Sequence, residues 1–129
     1  MKKLAAWVLL VCLLGGCTGG GRFISLTARE AQEMMLREGQ NYQIVDVRTP
    51  EEYAVAHIKG AVCVPNESIG EEAIPLLPDK EQILFLYCRS GNRSKQAAGK
   101  LLRLGYTRVY EMGGFADWEG EITVGSETP

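Results

Sequence analysis

The sequence contains no Cys-x-x-Cys pair, only one histidine (His57) and no block of like charge. Without the first, a dithiol redox centre lacks its usual motif. The second confines any Cys–His dyad to a single residue. A formal net charge of -2 with no basic stripe argues against nucleic acid as a partner, and no polybasic segment is present to hold the chain on an anionic membrane. Long apolar runs are missing too. The run LAAWVLLVCLL, residues 4–14, has eleven residues, where a bilayer-spanning helix needs about 20. Beyond a short glycine run there are no repeats or low-complexity segments.

The N-terminus carries Lys2 and Lys3, then the apolar run, then Gly15, Gly16 and Cys17. A positive start, a short apolar stretch and small residues form the pattern of a secretory signal over residues 1–16. LGGC at 14–17 resembles a bacterial lipoprotein box, which implies lipidation of Cys17. Acyl chains there would hold the protein at a membrane, with TGGGR, residues 18–22, as a flexible tether reaching ~12 Å. The resemblance implies an exported protein on the outer face of a bacterial membrane, periplasmic or at the cell surface. Removing residues 1–16 takes two lysines from the 14 basic residues against 16 acidic ones, a mature formal charge of -4.

The 129 residues suit one domain, placed at residues 23–122 with a C-terminal tail at 123–129. TAREAQEMMLREG opens with a capping-box pattern, Thr27 and Glu30, and stops at Gly39. QIVDV, residues 43–47, reads as a buried strand. TPEEYAVAH repeats the helix start with Thr49, Pro50 and Glu52. AVCVP is a short strand ended by Pro65, and residues 67–77 are expected to hold a helix or helical turns limited by Pro75 and Pro78. ILFLYC, residues 83–88, is the strongest buried strand, followed by an amphipathic helix at 94–105 and a strand at 108–112. TVGSETP reads as a frayed end. Strands alternating with helices predict an α/β domain, a small parallel sheet with helices on both faces. Ligands of such sheets sit beyond the carboxyl ends of strands, where residues 46–48 and 88–93 fall.

Cys88 ends the strongest strand. The thiolate is the reactive form of cysteine, and an ordinary thiol, with a pKa near 8.5, is mostly protonated at neutral pH. The segment CRSGNRSK favours the thiolate in several ways. It runs from a strand into a helix, so backbone N–H groups and the positive end of the helix dipole face the sulfur. Gly91 permits a tight turn, Ser90 and Ser94 supply hydroxyls, and Arg89, Arg93 and Lys95 add positive charge. The same loop suits an anionic substrate. A cysteine ending a buried strand is often only a small apolar residue, but this combination points to a nucleophile.

CRSGNRS at a strand end resembles the active loop of the rhodanese family of sulfurtransferases. The resemblance extends through VDVRTPEEYAVAHIKGAVCVP at 45–65, LLRLGY at 101–106 and MGGFADW at 112–118, covering residues 24–120 in order. It implies a single rhodanese-like module and a two-step exchange. Cys88 would take a sulfane sulfur from thiosulfate or a similar small anionic donor, and the persulfide would pass it to cyanide, a thiol or a protein acceptor. By the same resemblance Arg93 is the loop-closing arginine and Arg89 the cation beside the nucleophile, both placed to hold a sulfonate. The amides from Arg89 through Ser90, Gly91, Asn92 and Arg93 to Ser94 cradle the sulfur. No metal or organic cofactor is implied, and the module is expected to act as a monomer. Related phosphatases enclose five residues between cysteine and arginine, whereas four lie between Cys88 and Arg93 here, so phosphatase activity is not expected. The alternative is a sulfur-binding or sulfur-delivery module that needs a partner protein.

Asp46 and Arg48 are expected to form an ion pair supporting the loop. His57 falls in the HIKGA turn, where a structural hydrogen bond is expected, and Tyr53 and Trp118 are read as packing residues. Cys63 is read as a small strand residue, with a Cys63–Cys88 disulfide as the minority possibility.

Overall fold

The computed structural model describes residues 21–38 and 41–125. The signal segment 1–16, Cys17, most of the tether, the Gly39 stop and residues 126–129 lie outside the described residues. The domain is built on a five-stranded parallel sheet ordered β1-β6-β5-β2-β4. Its strands are β1 (Ile24–Ser25), β2 (Tyr42–Asp46), β4 (Val62–Cys63), β5 (Ile83–Cys88) and β6 (Val109–Gly114). Helices α1 (Ala28–Glu38), α2 (Pro50–Val55) and α3 (Asn92–Arg103) connect and cover them.

All six residues of β5 are buried, and their alternation sends side chains to two cores, as strand geometry requires. Leu84, Leu86 and Cys88 join Val45, Val47, Ala97, Ala98 and Leu101 under α3. Ile83, Phe85 and Tyr87 join Ala31 of α1 and Tyr53 of α2 on the opposite face. Cys88 therefore points to the α3 side.

Helix starts follow the sequence. Thr27 and Glu30 cap each other at 2.9 and 3.1 Å, and Thr49 with Glu52 forms a second capping box with Pro50 in the first turn. α3 differs. Its N-cap is Gly91 at φ 99°, with no side-chain cap. Its first-turn amides are left for another acceptor.

Two segments depart from expectation. Residues 67–77 form no regular helix, only a 3-10 turn at Asn66–Ser68 followed by irregular turns, because Gly70, Pro75 and Pro78 break any run of four helical hydrogen bonds. Ala56 and His57, read as the helix end, form with Ile58 the strand β3, which pairs antiparallel with Ile122–Val124, β7. Thr123 and Val124, expected in the tail, pair with His57 and Ala56. At the sheet edge the two-residue β1 pairs with β6, and Leu26 N donates to Glu111 O at 2.8 Å.

From β2 the chain crosses to β4 on one side and then returns to β5 on the other. The strand order reverses at the β2–β5 boundary, and ligands of open parallel sheets bind outside such a reversal. Val47, Arg48 and the Cys88 loop lie there.

Candidate active site

Cys88 closes β5, and three residues carry the chain to α3. The uncapped helix start is turned on the sulfur: the Gly91 N–H donates to Cys88 Sγ at 2.9 Å. Burial pushes the thiol up, but the Ser94 side chain and the amides of Ser94, Gly91 and Ser90 outweigh it, holding Cys88 below its ordinary value. Cys88 and Ser94 are fully buried; Arg89, Ser90 and Asn92 are exposed. The left-handed backbone at Gly91 aims its N–H inward, and a Cβ there would approach Glu111 Oε1 at 3.6 Å.

The arginines divide their work. Arg93 donates to both oxygens of Glu52, at 2.7 and 3.2 Å, so the loop is strapped to α2 and its guanidinium is matched by a carboxylate. That hydrogen bond, more than the opposing burial, holds Glu52 down at about 2. Arg48 grips Asp46 through Nε and Nη2 at 2.7–3.1 Å and donates to Ala56 O at 2.6 Å. Its guanidinium lies 4.5 Å from the Phe115 ring centre, a cation–π contact. Asp46 also accepts from Tyr87 Oη at 2.7 Å, and Tyr87 Oη accepts from Ile58 N at 3.0 Å, tying β2, β5 and β3 into one frame. Arg89 has no ion-pair partner among the described residues. It lines an open depression with Arg48, Glu52, Val55, Ala56, Phe115 and Ala116. What converges on the sulfur is mostly hydrogen-bond donors, suited to an anion rather than to a metal cation.

A comparison with family models matches residues 27–121 to the Rhodanese-like domain. The chain belongs to the rhodanese-like domain family. Thiosulfate sulfurtransferase PspE of Escherichia coli is 38% identical over 73 residues, covering 57% of this chain and 70% of that protein. Thiosulfate sulfurtransferase GlpE of Pseudomonas aeruginosa is 35% identical over 88 residues, covering 67% and 77%. The solved structure of a rhodanese with anions from E. coli matches with a TM-score of 0.60 and 34% identity, over 65% of this chain and 99% of that one. The match spans 63% of one further relative and 26% of another. The rhodanese-like fold expected from the sequence is thus the fold observed.

Within this rhodanese-like domain Gly91 and Ser94 meet the Cys88 sulfur, and Asp46 and Arg48 form their ion pair at the end of β2, on the Tyr87 side of the sheet. Arg93 is paired with Glu52 across the loop. His57 is buried, with Nδ1 2.9 Å from Tyr53 O and its ring stacked on Tyr53 at 3.7 Å. Cys63 and Cys88 are free thiols. β2 lies between their strands, a spacing of about 9.6 Å at 4.8 Å per strand, beyond the ~7 Å a disulfide spans. Burial raises Cys63 to about 11. Cys17 lies outside the described residues. The sequence reading missed two partners of the loop, Glu111 on β6 and the Arg93 strap to Glu52. The one signal for Glu111 was a lone carboxylate inside the strand VYEMGG.

Proposed function

We propose that this rhodanese-type domain moves a sulfane sulfur from thiosulfate or a similar small anion to a thiol, cyanide or protein acceptor through a Cys88 persulfide. The observation that carries this reading is the Cys88 sulfur seated on the uncapped amides of α3, with Gly91 N at 2.9 Å. The Cys88 thiolate attacks the outer sulfur of thiosulfate, the S–S bond breaks with its electron pair on the leaving group, and sulfite departs. The terminal sulfur of the persulfide then goes to cyanide, giving thiocyanate and the thiolate again, or to a thiol, giving a new persulfide. Each step conserves charge without an external redox partner. The amides hold the charge in both half-reactions, and Arg89 draws the anion to the mouth. Because Cys88 has no exposed surface, the donor reaches it by displacing the exposed Arg89–Ser90 edge of the loop.

Turnover of thiosulfate and cyanide to thiocyanate, followed with intact-mass analysis, tests the reading. A +32 Da adduct and turnover that both vanish in Cys88→Ser support it. An adduct without turnover favours the delivery module, for which the covered sulfur speaks, and neither signal overturns both.

Cys17 is proposed as the lipid anchor of an exported domain. Metabolic labelling with a fatty acid, lost in Cys17→Ser, checks the anchor.

A further inference from the structure

Behind the Cys88 loop lies a carboxylate that the sulfur-transfer reading does not use. Glu111 is 2% exposed, in the middle of β6, and its Oε1 accepts from Gly113 N and from Ser94 Oγ, both at 2.7 Å. Ser94 Oγ in turn lies 3.6 Å from Cys88 Sγ and 2.9 Å from Gly91 O. A serine hydroxyl has one proton to give and lone pairs to receive. While that proton points to Glu111, Ser94 can only accept the Cys88 S–H. It can donate to a Cys88 thiolate only if its own proton has moved on to Glu111. Otherwise the Ser94 and Glu111 oxygens would face each other at 2.7 Å with lone pairs alone.

We propose that Glu111 is a positioning residue for the nucleophile, taking up the Cys88 thiol proton through the Ser94 hydroxyl so that Cys88 and Glu111 share one negative charge. The Cys88 proton passes to Ser94 Oγ, and the Ser94 proton passes to Glu111 Oε1. Thiol and carboxylate become thiolate and carboxylic acid with no net change of charge. Both hydrogen bonds survive with reversed polarity.

The other charged groups around the loop do not compete for this proton. Glu52 on α2 is held by Arg93, which also faces Glu67, and Asp46 on β2 is held by Arg48 and Tyr87. Arg89 is exposed. The role in the cycle rests on the sulfur-transfer reading: Glu111 stores the proton while Cys88 carries the persulfide and returns it through Ser94 when the Cys88 sulfur leaves as a thiol.

The test needs no sulfur donor, so it fails or succeeds apart from that reading. The full chain is treated with iodoacetamide between pH 6 and 8, and alkylation of Cys88 is followed on the tryptic peptide 81–89. In the wild type the rate at pH 6 stays within about threefold of that at pH 8. In Glu111→Gln, which keeps the shape and an acceptor oxygen, the rate falls about tenfold or more across that interval, as an ordinary thiol's does. Ser94→Ala gives the same profile, and the double variant is no worse than either. A Glu111→Gln profile equal to the wild type or flatter overturns the proposal, because a carboxylate ionised throughout would repel the thiolate and its removal would favour alkylation. Should Glu111→Gln melt far below the wild type, the Ser94→Ala profile decides alone, and a wild-type-like profile there overturns the relay.

Discussion

Gly114 offers a sharp test of how tightly the active loop is held. It ends β6 in register with Cys88, and its φ of -98° with ψ of 149° is ordinary extended backbone that any residue adopts. A Cβ added there would stand 2.5 Å from Arg89 O and 3.3 Å from Arg89 C. Ordinary contact begins at 3.4 Å, so the shortfall at the carbonyl oxygen is about 0.9 Å. The obstacle is backbone, not the end of a flexible side chain, and only movement of the 88–91 segment relieves it. Overpacking of this kind costs about 1–3 kcal/mol, a Tm fall of roughly 5–15 °C in a domain this size. A shift near 1 Å at the nucleophile costs on the order of 100-fold in rate. Gly114→Ala is therefore expected to lower both Tm, by circular dichroism, and kcat for thiocyanate formation. Gly99→Ala in α3 is the control: nothing lies within 4 Å of its added Cβ, and alanine gains about 0.5–1 kcal/mol over glycine inside a helix. Wild-type stability and rate in Gly114→Ala, or an equal loss in Gly99→Ala, would refute the steric reasoning.

Glu52→Gln should cost about 1–2 kcal/mol at pH 7, discounted because its pair with Arg93 is partly exposed. Since the carboxyl is depressed from 4.5 to about 2 in the fold, its contribution is complete above pH 4.5 and disappears as the pH falls towards 2; Tm measured across that window should drop more steeply in the wild type than in the variant. Tyr87→Phe leaves the Ile58 N–H without its acceptor in the core, a loss of about 1–3 kcal/mol by urea denaturation, with the Cys88 loop intact and turnover largely retained. Arg89→Gln removes the unpaired cation at the mouth and should raise the thiosulfate KM about tenfold with little change in kcat; the KM should also lose much of its salt dependence, and an unchanged KM would mean that the loop amides alone capture the donor.

What the sequence disclosed and what it withheld follow from how far apart the partners lie. β2 and β5 were legible because β-branched and apolar runs have few alternatives, and α1 and α2 because a capping box lies within four residues. The Cys88 loop was legible because its groups are contiguous. Ala56–Ile58 was not. Its local pattern continues α2, and only pairing with β7, 66 residues or so away, makes it a strand. The same holds for the site: Arg93 meets Glu52 across 41 positions, and Ser94 meets Glu111 across 17. A capping glutamate doubling as a strap looks like any other capping glutamate in sequence. A carboxylate in a buried strand announces only that something must satisfy it.

Ion pairing explains how a site rich in arginine can hold a buried sulfur without fixing it as a permanent anion. Asp46 answers Arg48 and Glu52 answers Arg93, each at 2.7 Å, so neither guanidinium presents an unmatched charge to the thiol. The charge at Cys88 is then met by the Ser94 hydroxyl and by the amides of Ser94, Gly91 and Ser90, which are aligned by the fold and need no counter-ion. A nucleophile stabilised by dipoles can gain a sulfur, carry it as a persulfide and lose it again with the same partners in place. An unmatched arginine would hold the anionic persulfide more tightly than the next step requires. Arg93 thus straps the loop to α2, while Arg89, with no ion-pair partner among the described residues, stands at the surface, where a charge can attract a donor without trapping the product.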